Sequence, residues 1–258
     1  MLEKDRSPLC NHYHIHVYDR LPSTNLTARE MAADGAPDGT VVLAMEQSAG
    51  RGRLGRSFFS PGSTGLYMSL ILRRDLNALD ALRLTPMAAV ATAQAIEKLI
   101  DRQVEIKWVN DIYLDGKKVC GILTEGAVDS QTKKMKYAIV GIGVNITPPT
   151  NGFPIEISHI AGAILDCTDD HSATVRDALA EQIICGMMNL LGEDPASVYE
   201  KYCSRLMLKN RYISVHSADG SVTRPALALD VDEDYRLIVR YEDGIIDHLD
   251  GGEVSIRI

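Results

Sequence analysis

Three arginines stand between glycines in the stretch GRGRLGR, residues 50–56. Arg51, Arg53 and Arg56 offer planar, permanently charged forks suited to phosphate or carboxylate oxygens. Gly50 and Gly52 let the backbone approach a ligand where a Cβ would intrude. Farther along, Lys107-Trp108-Val109-Asn110-Asp111 and Lys118 add two cations beside one carboxylate. Ser23-Thr24-Asn25, with Gln47, supplies small neutral donors and acceptors, and Gly141 to Asn145 adds a second glycine-rich segment. The set lacks a nucleophile with a base. There is no G-x-S-x-G, and none of the five cysteines has an obvious histidine partner in sequence. Cations around one carboxylate suit chemistry on a phosphorylated substrate without a covalent enzyme intermediate, where the protein positions reactants and neutralises developing charge. Taken singly, Lys107 and Lys118 read as well as solvated strand residues, and Asp111 as a turn cap. Four such clusters at strand ends or loops, where sites are usually built, favour a site.

Two sharper readings fail on context. Gly50, Gly52 and Gly55 match the dinucleotide fingerprint G-x-G-x-x-G, but that motif needs a helix directly after the glycines. Here SFFSPGSTG leads into the strand-like LYMSLIL. His12, His14 and His16 share one face of a strand at 13–19, a spacing that suits metal; they lack a nearby carboxylate or cysteine partner, and a solvent-facing strand is the plainer reading. No dedicated metal motif is expected.

Composition bounds the rest. A chain of 258 residues can bury a substantial core as one large domain or one plus a small one. Scattered cysteines (Cys10, Cys120, Cys167, Cys185, Cys203) without a C-x-x-C pair imply reduced thiols and a cytoplasmic protein. A net charge of −8 argues against a general nucleic-acid binder. No apolar run is long enough to span a bilayer, so no membrane role is expected.

The elements that must position these residues alternate. Strands are expected at 13–19, 41–47, 66–72, within 104–126 around an Asp115-Gly116 turn, and at 134–146. Helices are expected after Ser23-Thr24-Asn25, over Leu82 to Ile100, Val175 to Leu191 and Pro195 to Leu206. These make an α+β fold, a mixed β-sheet with helices on one face. From about Asn210 short strands separated by Asp-Gly turns suggest a small C-terminal β-barrel. With six basic and ten acidic residues from Lys209 on, that part is no polyanion clamp. The division expected is 1–207 and 208–258.

"EQSAGRGRLGRSFFSP", "KWVNDIYLDGKKVCGILTE", "GIGVNI", the early "STN" and the terminal "GGEVSIR" together resemble biotin–protein ligase, in the family's order from about residue 13 to the C-terminus. The resemblance implies a class II synthetase-like catalytic domain, a small C-terminal barrel and two reaction steps. Biotin and ATP, with Mg2+, give biotinyl-5′-AMP and pyrophosphate; a lysine of a biotin carboxyl carrier domain then takes the biotinyl group. It further implies Ser23, Thr24, Asn25 and Gln47 around the ureido ring and valeryl chain, with Gly121, Leu123 and Gly143 as backbone contacts. Gly50, Arg51, Gly52 and Arg53 would close over biotin. Lys118 would bridge carboxylate and α-phosphate, and Asp111 would be the essential carboxylate, with Arg53 beside them. Arg51, Arg53, Arg56, Phe58, Lys107, Asn110, Asn145, Glu253 and Arg257 would meet the nucleotide.

Two positions depart from the family pattern: Val109 stands where Pro is usual, and Phe58 where a Trp often packs on the adenine. Larger bacterial relatives carry an N-terminal helix-turn-helix; about a dozen residues precede the first strand here, so the resemblance implies the monofunctional form. It also implies a homodimer. Lipoate–protein ligase, which shares the fold and the acyl-adenylate chemistry, and a non-catalytic biotin sensor are the alternatives. The G-R-G-R loop and terminal GGEVSIR favour biotin, and Lys118 with Asp111 favours catalysis.

Overall fold

The computed structural model describes residues 13–75, 78–129, 131–132, 134–166, 172–217, 222–251 and 254–257, with backbone alone at 78–80, 172 and 254–257. Strands β1 (His14–Leu21), β2 (Thr40–Gln47), β3 (Gly65–Leu72), β4 (Glu105–Lys107), β5 (Asp111–Leu114), β6 (Lys117–Val128) and β7 (Met135–Asn145) form one sheet in the order β1-β2-β3-β7-β6-β5-β4. Only β1 and β2 run parallel, joined by helix α1 (Thr24–Ala33). Every residue of β3 is buried, as a central strand covered on both faces requires. The β5–β6 turn falls where expected, with Asp115 at φ 50° and Gly116 at φ 74°, the left-handed pair that suits a two-residue hairpin.

Alternation along the strands sends two sets of side chains to opposite faces. Val41, Leu70, Val140 and Ile122 join the main core with α2 (Ala78–Ile100) and α3 (Ser172–Leu190). Ala91 of α2 lies against Gly186 of α3, where a Cβ would come within 3.3 Å, so small residues let these helices approach closely. Helix α2 starts earlier than the sequence expectation, which puts Pro86 well inside it rather than near its start. On the other face, among the described residues, α1 is the packing helix: Ala28 and Ala32 cover Val42, Ile71 and Ile139. Among the described residues no other long helix packs on that face, and the candidate site lies there.

The C-terminal strands β8 (Arg211–Ser217), β9 (Thr223–Val231), β10 (Leu237–Tyr241), β11 (Ile246–Leu249) and β12 (Val254–Arg257) form a small antiparallel, barrel-like sheet in the order β11-β10-β9-β8-β12. Its core is continuous with the main one, running from Ile106 and Tyr202 to Ile213 and Val239. Helix α4 (Pro195–Cys203) is the junction. Tyr199 donates to the Val231 carbonyl at 2.7 Å, and the Tyr235 ring meets Tyr199 and Tyr202 edge-on at 5.7 and 5.3 Å. Trp108, on the loop before Asp111, donates its indole N–H to the Tyr235 carbonyl at 2.8 Å. Trp108→Phe should cost about 1–2 kcal/mol by leaving that buried carbonyl unmet. The measurement is the urea midpoint, expected to fall with an unchanged m value; an unmoved midpoint would show that the bond contributes nothing net.

Candidate active site

Cross-strand register builds the floor. Asp111 pairs with Gly121, Gly121 with Gly143, and Gly143 with Tyr67 across β5, β6, β7 and β3. One rung over, Leu123 pairs with Gly141, and Gly141 with Ser69. Paired residues share a face, so Gly121, Gly141 and Gly143 leave a bare patch beside α1. That patch is already filled from above. A Cβ on Gly141 would lie 1.9 Å from Asn25 Oδ1, and one on Gly143 2.5 Å from the Phe58 ring.

Ser23 takes the N-cap position of α1, but its hydroxyl makes no capping bond. Gln47 Oε1 does that work, accepting the Thr24 N–H at 2.8 Å and the Thr24 hydroxyl at 3.2 Å. Gln47 in turn donates to Ser60 Oγ at 2.9 Å. Asn25 donates to the Leu123 carbonyl at 3.2 Å and to Glu125 Oε2 at 2.9 Å. Ser69 Oγ, fully buried, lies 2.8 Å from Thr24 Oγ1 and 2.6 Å from Asn25 Oδ1, with one hydrogen for the two acceptors. Ser23, Thr24, Asn25, Gln47, Gly121, Leu123, Gly141 and Gly143 thus meet around one small polar pocket of about 20 Å3, with Arg51 and Phe58 at its mouth.

The arginine loop folds on itself. Gly52 N–H donates to the Arg56 carbonyl at 2.7 Å and Phe58 N–H to the Gly50 carbonyl at 2.8 Å. A Cβ on Gly50 would sit 2.3 Å from the Phe58 carbonyl, which is why this turn needs glycine. Each of two arginines finds an acceptor in the protein: Arg51 Nη1 lies 3.2 Å from Glu125 Oε1, and Arg53 Nη1 donates to Asn110 Oδ1 at 2.9 Å. Burial draws the Arg53 guanidinium below its ordinary pKa, with Asp111 pulling the other way. Arg56 is exposed. Asn110 completes the tie by donating to the Ile122 carbonyl at 2.8 Å. From the C-terminal sheet, the turn at Gly251 comes up to the same spot, where a Cβ would be 3.6 Å from Arg53 Nη2.

Lys118 Nζ and Asp111 Oδ1 stand 2.6 Å apart, both side chains partly buried. The spacing read across the hairpin therefore does bring this cation and carboxylate together. They line a cavity of about 140 Å3 with Arg51, Arg53, Lys107 and Asn110. That cavity shares Phe58, Gly121 and Leu123 with the small pocket, and Arg56, Phe58, Lys107, Asp111 and Lys118 with an outer cavity of about 800 Å3. Phe58, which the resemblance puts with the nucleotide, therefore borders all of these spaces. Lys107 reaches over the Tyr113 ring at 5.7 Å, and burial pushes the Tyr113 phenol up to about 12.

The outer wall was not foreseen. Phe153, Ile157, His159 and Ile160 line the large cavity from a turn-rich segment between β7 and α3. Lys118 N–H donates to the Ile160 carbonyl at 2.8 Å, Gly162 N–H returns a bond to the Lys118 carbonyl at 2.9 Å, and Asn145 Nδ2 donates to the Gly162 carbonyl at 2.8 Å. Asn145, expected to contact the nucleotide, thus spends an amide hydrogen on this wall. Glu125, Ser60 and Ser69 were also missed. Apolar residues amid prolines and glycines were the only signal for the wall. Glu253 lies outside the described residues, and of Arg257 only the backbone is described, paired with Ser214. His14 and His16 are exposed on edge strand β1, and His12 lies outside the described residues. Among the described residues no group of three metal-ligating side chains occurs, and no helix is long and apolar enough to cross a membrane.

A mixed sheet with a glycine floor, a polar pocket under a helix N-terminus and a cationic loop together make a site suited to a polar, anionic ligand. Residues 17–145 match the Biotin/lipoate A/B protein ligase family, and the chain belongs to it. It is 44% identical over 151 residues to the bifunctional ligase/repressor BirA of Bacillus subtilis, covering 58% of this chain and 46% of that protein. It is 37% identical over 139 residues to the biotin–acetyl-CoA-carboxylase ligase of Paracoccus denitrificans, covering 53% and 56%. The chain thus matches about half the length of these relatives. Among solved structures, the biotin protein ligase of Aquifex aeolicus in complex with biotin and ATP superposes with a TM-score of 0.74 at 25% identity, over 95% of this chain and 98% of that one. The Leishmania major biotin protein ligase with biotinyl-5-AMP gives 0.60 at 25% identity, over 92% and 99%.

Proposed function

We propose that this chain activates biotin with ATP and transfers it to a lysine of a biotin carboxyl carrier domain. The observation that carries the reading is the order of the joined cavities. A small pocket lined mainly by neutral groups adjoins a cationic middle, which adjoins a large outer space with Phe153, Ile157 and Ile160 on its far wall. A neutral bicyclic ring, an acid and a nucleotide come in that same order in biotinyl-5′-AMP. The two structural relatives that hold biotin with ATP, or biotinyl-5-AMP, support it.

In the first step a biotin carboxylate oxygen attacks the α-phosphorus of ATP, and the bond to the β-phosphate breaks to release pyrophosphate. Both reactants are anions, so Lys118 and the arginines lower their mutual repulsion and the charge of the transition state. Mg2+ enters with the nucleotide phosphates. Asp111 holds the Lys118 ammonium in place from 2.6 Å. In the second step a carrier lysine amine attacks the acyl carbon, AMP leaves, and the amine loses a proton. The same reading assigns 1–207 to catalysis and 208–258 to an accessory unit, and brings in a homodimer and a cytoplasmic location.

The test is biotin-dependent exchange of pyrophosphate into ATP, with lipoic acid as the control acid, followed by biotin transfer to a carrier domain. Exchange with lipoic acid but not biotin would overturn the substrate; binding without exchange would leave a sensor. The loop makes one further outcome specific. Arg53→Gly removes the tie to Asn110, so the closed loop loses a bond it does not have when open. The variant should still form the adenylate but release it several-fold faster, measured as intermediate off-rate by filtration. An off-rate equal to wild type would mean that Arg53 does not retain the intermediate.

A further inference from the structure

Glu125 sits on β6 two residues past Leu123, on the same face as Gly121, and its carboxylate is only partly exposed. It touches both ends of the proposed biotin site at once. Oε2 accepts from Asn25 Nδ2 at 2.9 Å, and Oε1 pairs with Arg51 at 3.2 Å. On the strength of the biotin reading, we propose that Glu125 is a positioning residue that sets which way the Asn25 amide faces and holds Arg51 at the pocket mouth.

An asparagine amide can present either its oxygen or its NH2 to a ligand, and the surroundings decide which. Here both Asn25 hydrogens are spoken for, one by the Leu123 carbonyl and one by Glu125. The oxygen is left to face Ser69 and the bare floor at Gly141. The Leu123 carbonyl and an acceptor oxygen at position 125 together exclude the flipped amide, which would set oxygen against oxygen. The pocket then offers an acceptor, the group that a ring N–H of a cyclic urea needs, and a sulfur ring without N–H gains nothing from it. Discrimination by a hydrogen bond is worth more than discrimination by shape, since the wrong ligand leaves a buried polar group unpaired. Glu125 thereby sets head-group choice without touching the head group.

The second oxygen links this choice to the loop. Arg51 is the loop arginine held by a charge rather than by an amide, and its side chain keeps substantial exposure. A carboxylate at the pocket mouth gives the arginine a defined place beside the pocket instead of one among many rotamers. Neither Asn25 nor Arg51 has another acidic partner among the described residues.

Two variants separate the roles. In Glu125→Gln the amide oxygen can still accept from Asn25, but the charge facing Arg51 is gone. In Glu125→Ala both are lost. Pyrophosphate exchange should show KM for biotin raised at least tenfold in Glu125→Ala with kcat within threefold, and rescued to within threefold of wild type in Glu125→Gln. Exchange with lipoic acid should gain on exchange with biotin only in Glu125→Ala. Limited trypsin digestion without added ligands, followed bond by bond by mass spectrometry, should show cleavage after Arg51 several-fold faster in both variants. Equal biotin KM in the Gln and Ala variants would overturn the amide-orienting role. Unchanged cleavage after Arg51 in both would overturn the loop-holding role. If wild-type protein supports no biotin-dependent exchange, the substrate assignment has failed, and the digestion alone decides whether Glu125 holds Arg51.

Discussion

Lys118→Ala is expected to slow biotin-dependent pyrophosphate exchange about a hundredfold, equivalent to about 3 kcal/mol of transition-state stabilisation. The argument is electrostatic and local. Lys118 lies in the cationic cavity that joins the small pocket to the outer one, so its charge falls where an acid and an α-phosphate would meet. Arg53 and Lys107 line the same cavity but are engaged elsewhere, with Asn110 and over the Tyr113 ring. Neither has the stem position to replace an ammonium rising from β6. The backbone of Lys118 matters separately, because its N–H and carbonyl pin the outer wall at Ile160 and Gly162. Alanine keeps both of those bonds, so the wall and the fold should survive. Asp111 Oδ1 is buried, so losing its cation should lower stability without undoing the fold. The decisive measurement is kcat for exchange in a variant shown by a cooperative thermal transition to be folded at the assay temperature. A rate within threefold of wild type would take Lys118 out of the reaction, whatever its place in the cavity.

How far this site was legible in the sequence follows from the pleat. Asp111, Gly121, Leu123, Gly141 and Gly143 all fall at odd positions of β5, β6 and β7, while Ile112, Cys120, Ile122, Ile142 and Val144 between them are core. Such alternation of small or polar with apolar residues is readable without coordinates, and so is the Asp115-Gly116 turn that sets its register. The turn puts Asp111 and Lys118 within one hairpin width, and the irregularity between Ile112 and Tyr113 lets Lys118, at an even position, reach Asp111. Glu125 obeys the same parity, but nothing local says that Asn25 lies above it, a hundred residues away in sequence. The outer wall was illegible for a different reason. Residues 150–166 make mostly turns, and their position depends on two bonds to the Lys118 backbone that no side-chain pattern records. The helices show the same limit: an N-cap marked α1 and apolar spacing α2, but packing alone shows that α1 lies on the site face and α2 and α3 on the other.

Gly141→Ala should raise KM for biotin about a hundredfold or more, because a single methyl group would have to occupy space already held by Asn25. The added Cβ would lie 1.9 Å from Oδ1, 2.7 Å from Cγ and 3.0 Å from Nδ2. No member of this contact can yield easily. Gly141 is in β7, paired on one side with β3 and on the other with β6, so the strand cannot retreat. Asn25 is fixed by Ser69, the Leu123 carbonyl and Glu125, and a shift of α1 as a whole would unseat Ala28 and Ala32 from Val42, Ile71 and Ile139. Overpacking of this kind costs about 1–3 kcal/mol in stability. The remaining escape is for Asn25 to swing away, which removes the acceptor from the pocket. The three floor glycines should therefore grade by contact: Gly121→Ala, whose Cβ would meet the Phe58 ring and the Lys118 side chain no closer than 3.1 and 3.3 Å, should be the mildest. To separate a lost ligand from a lost fold, Asn25→Ala is combined with Gly141→Ala. Relief of the clash should recover most of the stability of Gly141→Ala, giving a favourable coupling energy in the cycle, while biotin affinity stays low. Wild-type biotin affinity in folded Gly141→Ala would mean that Asn25 does not face the ligand, and the small polar pocket would lose its assignment as the head-group site.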